Sequence, residues 1–128
     1  MHTSLLVRIP LWSAQAIAMN GTLTSPAIDL ARFDRIDSLE FQLADASNAS
    51  PSIEIQYEQS QDGLVWDAVG DQPSPIVTAS ATLFPSTKKG FHAVPVPLIS
   101  GRFTRIIVTE LAGFTTTKVT MALEGREK

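Results

Sequence analysis

The residue types that could do chemistry in this chain are one interior histidine, two groups of aspartates and many serines. His92 is the only histidine besides His2, and a general base there would need a positioned carboxylate that the spacing does not supply. The chain has no cysteine, which excludes disulfides, thiolate nucleophiles and cysteine-based metal sites. No Ser-His-Asp pattern can be read from the spacing. The sequence therefore predicts no catalytic residue and no enzyme.

Six of the seven aspartates form two groups, each near a predicted turn: Asp29, Asp34 and Asp37, then Asp62, Asp67 and Asp71. Oxygen ligands from such loops can hold calcium, which takes six to eight of them. Neither group has the Asp-x-Asp-x-Asp-Gly order of a dedicated calcium loop. We interpret both as solvated turn carboxylates and predict neither a metal nor a cofactor.

Aromatic residues are the other candidates for a binding site. Trp66 follows a predicted turn, where a ring usually covers the edge of a core, and the alternative is that Trp66 and Tyr57 stack on a sugar ring. Trp12, next to Leu11, has two open interpretations: a core residue, or an anchor on a neighbouring subunit, since tryptophan is common at interface hot spots.

A predicted exposed loop supplies further candidate contacts, namely Phe84, Lys88, Lys89 and Phe91. The formal net charge of −3 argues against a nucleic-acid partner, which would require clustered lysine and arginine. The composition, 44% hydrophobic and 18% charged, is that of an ordinary folded protein, and no membrane partner is predicted. The apolar run near the N-terminus lacks a preceding positive charge and is interrupted by Arg8 and Pro10, so a signal peptide is not predicted.

The elements that must position these residues are strands. Asp62-Gly63 is a strong turn signal, because Asp bonds its own backbone and Gly tolerates positive φ, and we predict a hairpin around it. Apolar and polar residues alternate with period two in most segments, and the long runs are 39–43, 53–58, 102–110 and 115–124. Pro95 and Pro97 predict that their strand lies at a sheet edge.

The strand pattern predicts an all-β fold: a two-sheet antiparallel β-sandwich or jelly roll of about eight strands. At 128 residues, the chain fits a single domain over residues 1–128. Within this domain, residues 1–24 are a candidate N-terminal docking segment, in which 5–9 and 15–19 are predicted to form two strands.

Two segments resemble a known family. Residues 57–66, which contain Ser60, Asp62-Gly63 and Trp66, are similar to the strand-turn-strand of discoidin-like (galactose-binding-like) sandwiches. The run 101–109, followed by 121–125, looks like the closing strands of that family. The resemblance implies a galactose-binding-like fold and an internal ion pair for Arg105, whose partner would come from Glu54, Glu58 or Glu110.

Along the whole chain, a Ser-Pro-x-Ile-Asp-Leu entry at 25–30 is followed by an alternating strand, the Asp-Gly-x-x-Trp hairpin at 62–66 and an Arg-aromatic-x-Arg strand at 102–105. This order is similar to that of small β-sandwich proteins of tailed-phage virions, which serve as decoration, cement or tail accessory components. This resemblance implies a non-enzymatic virion protein, assembled in the bacterial cytoplasm. Its partners would be a major capsid or tail protein, with a homo-oligomer as a further expectation. The alternative is a carbohydrate-binding or receptor-recognition module.

Overall fold

The computed structural model describes residues 5–45, 53–69, 77–79, 92–96, 98–111, 113, 115 and 117–128. The strands of these residues, in chain order, are β1 (Leu5–Ala16), β2 (Thr22–Thr24), β3 (Ile28–Asp29), β4 (Phe33–Asp45), β5 (Ile53–Ser60), β6 (Asp67–Ala68), β7 (Val77–Ala79), β8 (His92–Pro95), β9 (Phe103–Glu110) and β10 (Thr117–Glu127). A short 3₁₀ turn, Leu30–Arg32, joins β3 to β4.

The strands form two antiparallel sheets, as the alternation predicted. The four-stranded sheet has the order β1-β10-β4-β8, and the six-stranded sheet has the order β2-β9-β5-β6, with β3 also on β9 and β7 also on β5. Pro95 lies in β8, which is at the edge of the four-stranded sheet in the described residues, as its proline predicted. The described residues contain ten strands, whereas about eight were predicted. The number is higher because several of these strands are only two or three residues long.

A single core lies between the two sheets. Four strands supply most of it through alternate residues: Leu39 and Phe41 of β4, Ile53, Ile55 and Tyr57 of β5, Ile106 and Val108 of β9, and Val119, Met121 and Leu123 of β10. Because successive side chains of a strand point to opposite faces, the polar residues between them line the outer faces. The predicted two-sheet sandwich is confirmed.

The N-terminal segment differs from its prediction. Residues 5–16 form one long edge strand paired with β10, where two short strands were expected. Register shifts between Pro10 and Gln15, together with a φ of 47° at Ala14, bend this strand without ending it. The segment is therefore part of the sheet, and Leu11 and Trp12 are half-buried against the core.

A comparison of two neighbouring isoleucines tests the two faces of β9. Ile106 is fully buried between the sheets, whereas Ile107 points to the outer face. We expect Ile106→Ala to lower the free energy of unfolding by about 2–5 kcal/mol, because it leaves a cavity. Ile107→Ala is the matched control and should cost about 1 kcal/mol or less. Urea denaturation measures both, and equal losses would contradict this assignment of faces.

Candidate functional site at one end of the sandwich

The turn after β5 is held by a compact set of side-chain hydrogen bonds. The Asp62 carboxylate accepts the backbone N–H groups of Leu64 at 2.8 Å and of Val65 at 3.0 Å, and also the Ser60 hydroxyl at 3.0 Å. The Ser60 hydroxyl oxygen in turn accepts the backbone N–H of Gly63 at 2.8 Å. Gly63 has a φ of 77°, which glycine adopts without strain. Asp62 and Gly63 thus form the turn at the predicted position.

The hydrogen bonds also fix the ionisation of Asp62. The backbone N–H groups of Val65 and Leu64 favour the charged carboxylate and lower the pKa of Asp62 below its ordinary value. The turn therefore carries a full negative charge at neutral pH.

Two aliphatic side chains stand out from this turn. Leu64 is 83% exposed and Val65 is 68% exposed, although the backbone of both is held by Asp62. We call this pair the Leu64–Val65 knob. Sequence reasoning missed it, although two adjacent aliphatic residues directly after an Asp-Gly turn, where polar residues are usual, are a visible signal.

A second loop is fastened to the same hairpin. The Gln59 side-chain oxygen accepts three hydrogen bonds, from the backbone N–H and hydroxyl of Ser100 and from the backbone N–H of Gly101, at 3.0–3.1 Å. Leu98, two residues before Ser100, is 77% exposed. The Gln59 hydrogen bonds therefore fasten the loop at Ser100 and Gly101, and this loop also carries the exposed Leu98.

Leu5 and Leu6 lie at the same end of the molecule. Leu5 is opposite Glu127 of β10, and Glu127 is opposite Phe33, the first residue of β4. The 3₁₀ turn connects Phe33 to β3, which lies beside Phe103, and Phe103 is opposite Ser60 at the base of the hairpin. This end carries the exposed side chains of Leu5, Leu6, Leu64, Val65 and Leu98, and we call it the aliphatic end. The opposite end carries Met19 and Leu111.

Trp66 lies on the outer face of the six-stranded sheet. Its ring is covered on one side by the Arg105 guanidinium, whose central carbon is 4.3 Å from the ring centroid. Arg105 also forms an ion pair with Glu58 directly across the strands, at 2.7 Å. Glu58 is thus the partner of Arg105 among the three glutamates considered. The resemblance implied an internal ion pair for Arg105. The Arg105–Glu58 pair is instead half-buried on the outer face of the sheet.

Two further candidates, Tyr57 and Glu110, face inward. Tyr57 is only 1% exposed, so its ring packs in the core and is not available to stack on a sugar. Burial raises the pKa of the Tyr57 phenol. Glu110 is also buried, and its carboxylate accepts backbone N–H groups from Asn20 at 3.1 Å and Gly113 at 2.7 Å, which ties two loops together at the opposite end.

A groove lies on the side of the sandwich where β1 faces β3. It has a volume of about 290 Å³, and six of its lining residues are apolar: Ile9, Pro10, Leu11, Pro26, Ala27 and Ile28. We call it the edge groove. Asp29 and Arg32 complete its lining. A hydrogen bond from Arg102 lowers the pKa of Asp29, and Arg102 also forms an ion pair with it at 3.3 Å.

Two aspartates of the first predicted group form ion pairs with arginines. Asp29 pairs with Arg102 and Asp37 pairs with Arg35, at 2.8 Å, on different elements. Within the described ranges, no three histidine, aspartate or glutamate side chains come together with metal-binding geometry. Asp71 lies outside those ranges, as do the candidate contacts Phe84, Lys88, Lys89 and Phe91.

The described residues also contain no helix long and apolar enough to span a bilayer.

Charged side chains cover the outer face of the four-stranded sheet. Arg8 of β1 forms an ion pair with Glu40 of β4, and Glu124 of β10 lies between these strands. A hydrogen bond to Glu40 raises the pKa of Glu124, because it is lost when both carboxylates are charged. This cluster links three neighbouring strands across one face.

Comparison with known proteins adds no family assignment. No protein-family model matches this chain, and no curated protein matches it by sequence.

Replacing Asp62 tests the turn. Asp62→Ala removes the acceptor of two backbone N–H groups, so we expect a lower melting temperature at pH 7 and faster amide exchange at Leu64 and Val65. Because the folded pKa lies below the ordinary value of 3.8, the carboxylate stabilises the fold above about pH 4. The contribution is lost as the pH falls through the folded pKa, so the difference from the unmodified protein should shrink there. The control, Asp67→Ala, should leave both amides unchanged, and an unchanged exchange rate in Asp62→Ala would contradict the assignment.

Glu124 should give the opposite pH dependence. Its folded pKa lies above the ordinary value of 4.5, so its stabilising contribution is complete below that value and is lost as the pH rises through the folded pKa. We expect the unmodified protein to lose stability relative to Glu124→Gln in urea titrations as the pH rises from the ordinary value of 4.5 through the folded pKa of Glu124. Glu40→Gln should weaken this pH dependence, because the hydrogen bond to Glu40 is the main reason that the pKa of Glu124 is raised. A stability difference that does not change with pH would refute the carboxylate pair.

Proposed function

We propose that this chain is a non-enzymatic structural protein of a tailed-phage virion, a capsid decoration, cement or head–tail accessory protein, that acts through protein–protein contacts. The observation that carries the protein-contact role is the aliphatic end. Soluble proteins seldom gather large exposed apolar side chains in one region unless that region meets a partner. The virion setting is supported by the resemblance of the motif order to phage sandwich proteins.

The form of the surface also supports a docking role. The hydrogen bonds of Asp62 and Gln59 hold the loops that carry Leu64, Val65 and Leu98. A surface that is already ordered loses little conformational entropy on binding, so more of the contact energy appears as affinity. Stable docking would require roughly 1,200 Å² of total buried surface. Binding only to the assembled shell or tail would then stabilise that assembly by mass action.

A carbohydrate-binding role fits the same residues less well. Its stacking residues would be Trp66 and Tyr57, but Arg105 covers one face of the Trp66 ring and Tyr57 lies in the core. A sugar would have to bind the remaining face of a single half-buried ring.

Co-sedimentation tests the proposed docking. The chain is coexpressed with the major capsid protein of a candidate tailed phage, or mixed with purified tails of that phage, and the assemblies are pelleted. We expect the unmodified chain in the pellet and the variant Leu6→Ser/Leu98→Ser mostly in the supernatant, because that variant removes two exposed side chains of the aliphatic end. The control, Met19→Ser, changes an exposed residue of the opposite end and should pellet normally. If the unmodified chain stays in the supernatant with both assemblies, the proposal is wrong.

A further inference from the structure

The backbone of the Leu64–Val65 knob is already ordered in the isolated chain, so binding a partner would cost it little conformational entropy. Its backbone is held by the Asp62 carboxylate, and the base of the turn is held by Ser60 and Gly63. Two aliphatic side chains on a rigid projection match an apolar recess better than a flat surface, since a recess can surround them and remove more apolar area from water.

The same chain contains a recess of the right chemistry. The edge groove presents six apolar residues, and two of them, Pro10 and Pro26, have a fixed φ that limits movement of its walls. Pro26 and Ala27 are exposed, so the groove opens to solvent.

The knob and the groove belong to opposite edges of the six-stranded sheet. The knob turn joins β5 to β6, and β6 is the edge strand at one side of the six-stranded sheet. The edge groove lies beside β3 and β1, on the other side of β9 and at the opposite edge of the sandwich. We propose that the Leu64–Val65 knob of one copy binds the edge groove of a second copy, so that the chain associates head to tail.

The knob is acidic, and the groove offers arginine side chains as well as carboxylates. The knob is flanked by Asp62, which stays charged at neutral pH, and by the exposed Asp67. Asp29 and Arg32 line the groove, and Arg102 lies beside it through its ion pair with Asp29. Arg32 pairs with Glu127, and the side chains of Arg32 and Arg102 are 48% and 57% exposed. A guanidinium has five N–H donors, so a half-exposed arginine can share a second carboxylate. Association should therefore weaken as salt screens these charges.

Such a contact joins two different surfaces. A head-to-tail contact leaves a free knob at one end of a dimer and a free groove at the other, so it continues into an open chain or closes into a ring. The contact is small compared with an obligate interface, and we expect a dissociation constant of roughly micromolar or weaker. This inference does not depend on the virion role, because it concerns the purified chain alone.

Sedimentation equilibrium of the purified full chain over a range of concentrations tests the proposal. We expect the mean mass to rise with concentration, and Leu64→Ser/Val65→Ser to weaken association by about 30-fold or more, as the loss of a hot spot does. Ala27→Trp should have a similar effect, because it fills the groove from an exposed position away from the core. The control, Leu111→Ser, lies at the opposite end and should associate like the unmodified chain.

Mixing the two defective variants separates this geometry from a symmetric dimer. The knob variant keeps an intact groove, and the groove variant keeps an intact knob, so an equal mixture should form a dimer that stops at two chains. An unmodified chain that is monomeric at all concentrations would overturn the proposal, as would a mixture that stays monomeric or variants that associate normally. Circular dichroism confirms that each variant is folded.

The two proposals can fail separately. A monomeric chain that still pellets with shells would overturn only the head-to-tail contact. A chain that associates with itself but does not pellet with shells or tails would overturn only the virion role.

Discussion

Burial of the inner faces of four strands, β4, β5, β9 and β10, is the constraint on which the rest of this structure depends. The two sheets stay together because alternate residues of these strands, such as Phe41, Ile55, Ile106 and Met121, exclude water from one shared core. The same alternation places the intervening polar residues on the outer faces, where Arg8, Glu40 and Glu124 form one cluster and Glu58 and Arg105 form another. The ends of these strands are therefore fixed, and the turns between them start from a rigid frame.

Carboxylates then give the two ends of the sandwich different properties. At one end, Asp62 accepts backbone N–H groups within its own turn and leaves Leu64 and Val65 exposed. At the other end, the buried Glu110 accepts N–H groups from two separate loops at Asn20 and Gly113 and ties them together. In both places a single acceptor satisfies backbone donors that would otherwise be left to water. The first arrangement leaves the more exposed apolar pair, since Leu64 and Val65 are 83% and 68% exposed whereas Met19 and Leu111 at the other end are 55% and 44% exposed.

Local patterns were sufficient for the fold class because strand formation and sheet burial both follow the period of two. The alternating runs of β5, β9 and β10 and the Asp62-Gly63 turn could be read directly, and proline placed β8 at an edge. The N-terminal segment could not be read in this way. Its register shifts around Trp12 are stabilised by pairing with β10, which is distant in sequence, so local signals predicted two strands where there is one.

By itself, the amino-acid sequence determined that the chain forms strands, that these strands have one apolar face, and that Asp62 and Gly63 form a turn, since each depends on neighbouring residues only. The tertiary structure decided the relations between distant segments. The register of β5 against β9 selected Glu58 as the partner of Arg105 from three candidates, and the packing of the sheets placed Tyr57 in the core. The edge groove is formed by residues 9–11 and 26–32, which meet only when β1 and β3 belong to facing sheets. A surface made of segments from two sheets has no local sequence signal, because its shape depends on how the sheets are packed.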